Sequence, residues 1–351
     1  MSGNEAIARG ALDAGCTFYA GYPITPQNEI IAYMSAHMPG LGRVCIQAES
    51  EIAAINMVFG AAAAGARAMT SSSSPGISLK QEGISYLAGA QLPAVIVNMM
   101  RGGPGLGNIA PSQSDYFQAT RGGGHGDYHQ IVLSPSTVQE AYALMADAFT
   151  LAGRFRNPVM VLGDGMLGQM MEPVEVSDDG CQVSGVRCQE VAKPWALTGC
   201  KGRAPNVVKS FYIAEGDLER FNLLLQKKYA GVMRKEQRAE TLHADDAKVI
   251  VVAYGSMGRV AKGAVSRMRE KGKKVGLIRP ITLWPFPRDV FHLTTNNQQL
   301  KTFLAVEMSY GQMYEDVLLA VRGKVPVAFL GKAGGGIPTE QEIEKAVTKL
   351  F

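Results

Sequence analysis

The sequence predicts an α/β protein: a parallel sheet in the larger N-terminal part, then a second, smaller α/β unit. Three observations carry this. Short apolar stretches such as Pro93 to Met99 and Pro158 to Leu162 alternate with helical ones, the pattern of a parallel sheet covered on both faces. The alternation breaks near Glu172, and residues 172–244 lack a regular period until a charged helix, roughly Gly216 to Arg238. It resumes at Lys248 with VIVVAYGS. A chain of 351 residues is long enough for two such units. The boundaries read as 1–185, a connecting segment 186–245, and 246–351.

Along the first unit, Asn4 to Ala14 reads as a helix stopped by Gly15, a usual C-terminal glycine. Cys16 to Ala20 is a short strand entering the loop Gly21 to Pro26, and Gln27 to His37 is a helix. Val44 to Gln47 is the next strand, and Glu51 opens a long uncharged helix, IAAINMVFGAAAAGA. Apolar on all sides and crowded with Ala and Gly, that helix is expected to be buried with other backbones close against it. A Ser/Pro/Gly loop at Ser71 to Gly76 precedes a helix to about Ala90 and the strand Pro93 to Met99. Val138 to Ala152 is helical and Pro158 to Leu162 a strand. In the second unit, helix Gly258 to Lys271, strand KVGLIRP, LWPFP, a strand near Thr302 to Val306, a helix near Met313 to Arg322 and a strand Val325 to Leu330 follow VIVVAYGS.

Composition excludes several classes. The chain is 46% hydrophobic and 19% charged with 40 glycines in no periodic repeat, so collagen-like and low-complexity readings fail. A net charge of +4 without a basic stripe gives no nucleic-acid signal. The N-terminus lacks the basic and apolar regions of a signal peptide. Gly83 to Met100 approaches bilayer length, but Gln91, Pro93 and Asn98 make it a helix, a turn and a buried strand. A cytoplasmic protein with no membrane segment is expected. Five cysteines (Cys16, Cys45, Cys181, Cys188, Cys200) include no CxxC pair, so iron–sulfur ligation within this chain is not expected.

Three loops at strand ends carry chemistry-bearing residues, where open α/β sheets bind ligands. Tyr22-Pro23-Ile24-Thr25-Pro26 is either a rigid turn or a mount for the Thr25 hydroxyl. Gln47-Ala48-Glu49-Ser50-Glu51 either caps the following helix or places a carboxylate at its mouth. Arg101-Gly102-Gly103-Pro104-Gly105-Leu106-Gly107 offers an arginine fork for a carboxylate and glycines for close backbone approach; a phosphate loop competes, but the Lys-Ser/Thr of a Walker motif is absent.

Taken together, YPITP, a glutamate opening a small-residue helix that ends GAAAAGA, TSSSSPG, an arginine before a Gly-rich loop, and Gln113-Ser114-Asp115 resemble the pyrimidine-binding domain of 2-oxoacid:ferredoxin oxidoreductases, alpha-type subunit. KVGLIRPITLWPFP resembles the transketolase C-terminal-like domain that follows it there, so the resemblance covers essentially the whole chain. The implied fold is a parallel-sheet thiamine diphosphate-binding domain followed by a smaller α/β domain. Glu51 matches the glutamate that bonds the aminopyrimidine nitrogen N1′, and is preferred over Glu49 because it opens the helix in the family's register. Tyr22 and Pro23 are implied at the cofactor; Thr25 and Arg101 match residues that bind the substrate carboxylate, and Gln113 and Asp115 lie near the same pocket by resemblance.

The resemblance implies oxidative decarboxylation, in which a 2-oxoacid, coenzyme A and oxidised ferredoxin give acyl-CoA, carbon dioxide and reduced ferredoxin. Gly163-Asp164-Gly165 imitates the GDG…N metal motif of thiamine enzymes, but the next asparagine is Asn206, too far along, so a strand-end turn is the reading. The magnesium–diphosphate motif is therefore expected on a beta-type partner, and the iron–sulfur clusters on ferredoxin-like and gamma-type partners. Gly255 to Gly258 lacks GxGxxG spacing, and its following strand ends at Arg279 rather than an acid, against dinucleotide binding. Gln27-Asn28 and Gly105-Leu106 look most like the 2-oxoisovalerate (3-methyl-2-oxobutanoate) type; the 2-oxoglutarate type has Ser-Thr after YPITP and RGGPSTG at the arginine. A 2-oxoglutarate or aryl 2-oxoacid enzyme, a non-catalytic scaffold subunit and a free-standing thiamine decarboxylase or synthase are the alternatives. His125 either faces the pocket or orders its loop.

Overall fold

The structure is a computed structural model and describes residues 1–176 and 193–351. Cys181, Cys188 and the expected boundary at 185/186 lie outside the described residues. The first part runs α1 (Gly3–Asp13), β1 (Phe18–Gly21), α2 (Asn28–His37), β2 (Val44–Gln47), α3 (Glu51–Ala63), β3 (Ala68–Ser72), α4 (Ser74–Gly89), β4 (Ala94–Met100), α5 (Tyr116–Thr120), β5 (Ile131–Leu133), α6 (Val138–Phe155), β6 (Pro158–Asp164) and α7 (Gly165–Gln169). The chain continues with α8 (Asp217–Lys235), β7 (Ala239–Leu242), β8 (Val249–Val252), α9 (Gly255–Glu270), β9 (Val275–Pro280), β10 (Thr282–Trp284), α10 (Arg288–Thr294), β11 (Thr302–Glu307), α11 (Gln312–Val321), β12 (Val327–Gly331) and α12 (Glu340–Thr348).

The first sheet has the strand order β10-β5-β6-β4-β3-β1-β2 and is parallel except for β10. Its central strands β4 and β6 pair in register from Ala94 with Pro158 to Met100 with Asp164, and every residue of both is buried. That is why AVIVNMM and PVMVLGD are apolar without alternation. Local signals set the helix starts. Ser2 and Glu5 form a reciprocal capping box on α1, Ser50 Oγ accepts from the Ala53 amide at 3.1 Å, and Thr137 Oγ1 accepts from the Glu140 amide at 3.1 Å. The chain leaves β1 toward β2 on one side and β3 toward β4 on the other. The carboxyl ends of β1 and β3 therefore flank a topological switch point, the place where open parallel sheets bind ligands.

Four features differ from the sequence expectation. The stretch expected as loop from Ser71 begins inside a central strand, since Ser71 and Ser72 complete β3 and are buried between β1 and β4. Serine is short enough for such a position and finds polar partners there: Tyr19 Oη lies 2.6 Å from Ser71 Oγ. Helix α3 is not buried all round; Ile52 is 50% exposed, Asn56 is exposed, and nothing lies near Gly60. The second sheet, β12-β11-β8-β9-β7, takes in β7, which composition had left in the connecting segment. Finally, β10, from the LWPFP region, does not stay with its neighbours in sequence but pairs antiparallel with β5 of the first sheet.

Buried polar contacts reinforce this crossing. Arg279 at the end of β9 is nearly inaccessible; it donates to Glu140 of α6 at 2.6 Å and to Glu240 of β7 at 2.7 Å. Tyr116 Oη donates to Asp316 of α11 at 2.6 Å.

Candidate functional site

The loops after β1, β2, β3 and β4 all open at the switch point, and the structure brings several expected residues together there. Glu51, the first residue of α3, is only 6% exposed, whereas Glu49 is exposed. Two residues apart, the pair is separated by the helix start: Ser50 caps, Glu49 stays outside, and Glu51 turns inward. No hydrogen-bond donor among the described residues engages the Glu51 carboxylate. A carboxylate withdrawn from water without a partner is costly and points to an incoming donor. Helix α4 makes room for it. A Cβ on Gly76 would lie 2.6 Å from Glu51 Oε1 and would also meet Ser72 Oγ, so only glycine leaves the carboxylate its place. Sequence reasoning missed Gly76; its signal was a glycine in the first turn of a helix, where no turn requires one.

Thr25 and Arg101 are adjacent. Arg101 Nη1 donates to the Thr25 carbonyl at 3.0 Å and Nη2 to the Leu106 carbonyl at 3.3 Å, while Nε is buried without a partner. Two of five N–H donors are thus used to fix the plane of the guanidinium, and the rest remain for a ligand. Asn28 Nδ2 lies 3.4 Å from Thr25 Oγ1, which leaves the hydroxyl proton of Thr25 free to donate. Tyr22 and Pro23 stand exposed on the rim of the same loop. Gln27, noted as a substrate-type marker, is buried: Ser71 Oγ donates to its Oε1 at 2.5 Å, and its Nε2 donates to the Tyr22 carbonyl at 3.3 Å. It fastens the YPITP loop to β3.

Asp115 is a support for the arginine loop. Its Oδ2 accepts from Ser74 Oγ at 2.6 Å and Asn98 Nδ2 at 3.0 Å, and Ser74 Oγ in turn accepts from the Arg101 amide at 3.0 Å. Burial pushes the Asp115 carboxyl up, opposed by the bonds from Ser74 and Asn98.

Gln113 is not in this group. It is fully buried (0% exposed), its Nε2 donates to the Tyr254 carbonyl at 2.9 Å, and its Oε1 accepts from the Met308 amide at 2.9 Å. Both ends of the amide are consumed in joining the two sheets, which corrects the expectation of a substrate contact. Gln113→Ala leaves the buried Met308 amide unsatisfied, at about 1–3 kcal/mol, and removes one of the two bonds to the Tyr254 carbonyl, which keeps that from the Gly258 amide. Urea denaturation of the variant is expected to show a lower midpoint; an unchanged midpoint would refute the joining role.

His125 is exposed, its carbonyl accepts from Ser85 Oγ at 2.7 Å, and its ring packs edge-on to Tyr86. Ser85 is eleven residues beyond Ser74 on α4, roughly 16 Å along the helix. Ordering of the loop, not the pocket, is where the structure places His125. Asp164 of the GDG stretch caps α7, accepting from the Met166 and Leu167 amides at 2.9 and 3.1 Å. The strand-end turn is observed. Among the described residues no group of three His, Cys, Asp or Glu side chains is arranged to hold a metal, and no helix is long and apolar enough to cross a membrane.

Comparison with known proteins decides the family. The model of "Pyruvate flavodoxin/ferredoxin oxidoreductase, thiamine diP-bdg" matches residues 9–211, and that of "Pyruvate:ferredoxin oxidoreductase core domain II" matches residues 247–343. The chain belongs to the 2-oxoacid:ferredoxin oxidoreductase family. It is 49% identical to the ketoisovalerate oxidoreductase subunit VorB of Methanothermobacter marburgensis, over 100% of this chain and 97% of that one. It is also 40% identical to the 2-oxoglutarate synthase subunit KorA of Archaeoglobus fulgidus, over 90% of each. Among solved structures, the 2-oxoglutarate:ferredoxin oxidoreductase of Magnetococcus marinus superposes with a TM-score of 0.84 at 26% identity, over 99% of this chain and 64% of that longer one. A split-gene transketolase with a TM-score of 0.63 and 12% identity shares the fold.

In this family member the first domain is a thiamine diphosphate-binding domain. The donor set at the switch point suits one end of that cofactor. A buried, unpartnered carboxylate over a glycine matches a flat ring carrying a nitrogen that holds a proton. The same loops offer no set of carboxylates for a magnesium–diphosphate end among the described residues.

Proposed function

We propose that this chain is the alpha-type subunit of a complex that converts 3-methyl-2-oxobutanoate (ketoisovalerate), coenzyme A and oxidised ferredoxin to the acyl-CoA, carbon dioxide and reduced ferredoxin. The observation that carries the reading is the Glu51 carboxylate, buried without a hydrogen bond against Gly76 of α4, while Ser74 of the same helix start accepts from the amide of Arg101, which is paired with Thr25. Thiamine diphosphate, when bound, would supply the nucleophilic carbon and the electron sink that decarboxylation needs. The residues of this chain do the rest of the work at its pyrimidine end. Glu51 holds a proton at ring nitrogen N1′ and thereby governs the basicity of the neighbouring amino group. Arg101 and Thr25 hold the substrate carboxylate by charge-assisted hydrogen bonds, with Tyr22 and Pro23 at the rim over the cofactor. Asp115, through Ser74, keeps the Arg101 backbone in place.

The apolar character of the substrate is supported by Leu106, which is 83% exposed on the arginine loop, and by exposed Ile109. A 2-oxoglutarate substrate carries a second carboxylate that needs its own cation once out of water. Exposed apolar side chains at Ile52, Tyr22 and Leu106 support an unfinished site, completed by a beta-type subunit bearing magnesium and the diphosphate. Ferredoxin-like and gamma-type subunits carrying the iron–sulfur clusters complete the proposed complex, and the cytoplasm is its proposed location. A reconstituted complex assayed with both acids is expected to favour 3-methyl-2-oxobutanoate over 2-oxoglutarate by roughly tenfold or more in kcat/KM. Equal or reversed preference would overturn the substrate assignment and leave the family intact.

A further inference from the structure

Lys80 is 0% exposed, the most deeply sealed cation near the site, and nothing in the reaction described above uses it. It lies on α4 one turn beyond Gly76, the glycine that faces the Glu51 carboxylate, and three residues before Gly83, whose missing Cβ would strike Ile55 of α3 at 2.6 Å. Residues four apart on a helix share a face, and helical side chains lean toward the helix N-terminus. Lys80 thus leans back toward Gly76 in the seam between α3 and α4. From the sheet side, Thr70 of β3 meets it: Lys80 Nζ donates to Thr70 Oγ1 at 2.8 Å, while Ser72, two residues on, reaches Gly76. One hydrogen bond leaves an ammonium group with two further protons in a space closed to water.

Among the described residues one charged group acts on it, Glu51 of α3, and Thr70 of β3 is its hydrogen-bond acceptor. The Asp115 carboxylate is taken up by Ser74 and Asn98 at the start of α4. Burial pushes the Lys80 ammonium down to about 7, and the Glu51 carboxylate pulls it back up.

We propose that Lys80 is a positioning residue for Glu51: a buried cation one helical turn below Gly76 that keeps the negative charge on the Glu51 carboxylate and the shared proton on ring nitrogen N1′. This rests on the assignment of Glu51 given above. A positive neighbour favours the charged form of a carboxylate.

The test uses the assembled complex with Lys80→Met, which keeps volume and removes charge. Thiamine diphosphate affinity is measured by calorimetry across the range from about pH 5 to about pH 9, together with the pH profile of kcat. Relative to the unaltered complex, the acidic limb of both curves is expected to move to higher pH, with a roughly tenfold loss of affinity on the acid side. The affinity curves meet well above about 7, where Lys80 itself has lost its proton. Superimposable profiles, even with lowered thermal stability, would overturn the proposal. If Lys80→Met fails to assemble, Thr70→Val carries the test: stripping the ammonium of its acceptor must shift the limb in the same direction, and no shift overturns the idea. Glu51→Gln in parallel separates the two assignments. Loss of the acidic limb in that variant alone leaves Glu51 standing and removes Lys80; retention of full activity removes Glu51 itself.

Discussion

Replacing Glu51 with glutamine will lower acyl-CoA formation by the assembled complex by about two to four orders of magnitude, the usual contribution of a positioned acid–base group. The packing is kept, because the Glu51 carboxylate accepts no hydrogen bond within the described chain and glutamine has the same shape; what is lost is the negative charge that faces the buried Lys80. The expected signature is therefore a kcat defect far larger than any loss of stability, with assembly retained. An additional check is hydrogen–deuterium exchange at the thiazolium carbon of thiamine diphosphate bound to the complex, which will slow in parallel with turnover. Wild-type rates of exchange and acyl-CoA formation in the variant would show that the chain is a scaffold.

Arg101→Ala is expected to act on substrate capture instead. The guanidinium is braced on the Thr25 and Leu106 carbonyls, which presents its remaining donors in one plane. A charge-assisted hydrogen bond contributes about 1.5–3 kcal/mol, so kcat/KM for the 2-oxoacid should fall by roughly 10- to 100-fold, mostly through KM. Arg101→Lys should recover little of this. A lysine has no fork with which to hold both carbonyls and a carboxylate together, and its single ammonium would have to choose. Steady-state kinetics with the 2-oxoacid varied at saturating coenzyme A distinguish the cases. An unchanged KM in both variants would place the substrate carboxylate elsewhere.

The fold was legible where burial leaves a mark on local sequence. AVIVNMM and PVMVLGD are almost continuously apolar, as central parallel strands are, and the cap read at the start of α3 is made by Ser50; Ser2 and Thr137 cap their helices too, although the sequence reading passed over them. The resemblance preferred Glu51 to Glu49 through the family's helix register; in the structure Glu51 is buried and Glu49 exposed. The failures have a common physical cause, in partners distant along the chain. Gln113 stands two residues from Asp115 and was read with it, yet its amide is bonded to Tyr254 and Met308, 141 and 195 residues further on. Ser71 of β3 looked like loop because the Tyr19 and Gln27 groups that satisfy it lie on other elements. Lys80 gave no signal at all: an isolated lysine in a helix reads as a solvated one until the neighbouring helix is in place. The all-apolar look of α3 was half right, since one side faces α4 and the other, with Ile52 and Asn56, is open.

The crossing of β10 into the first sheet bears on how reactants gain entry. A chain of two simply tethered lobes can gape like a clam, admitting substrate along the cleft between them. Here the strand that follows Arg279 is woven into the neighbouring sheet, and Gln113 and Tyr116 rivet the opposite side, so that gape would tear a ladder and several buried bonds together. On the proposed reading, traffic to Arg101 is left with routes that spare the seam: excursions of the glycine-rich loop that carries Leu106, or a parting of this subunit from the proposed partner that finishes the pocket.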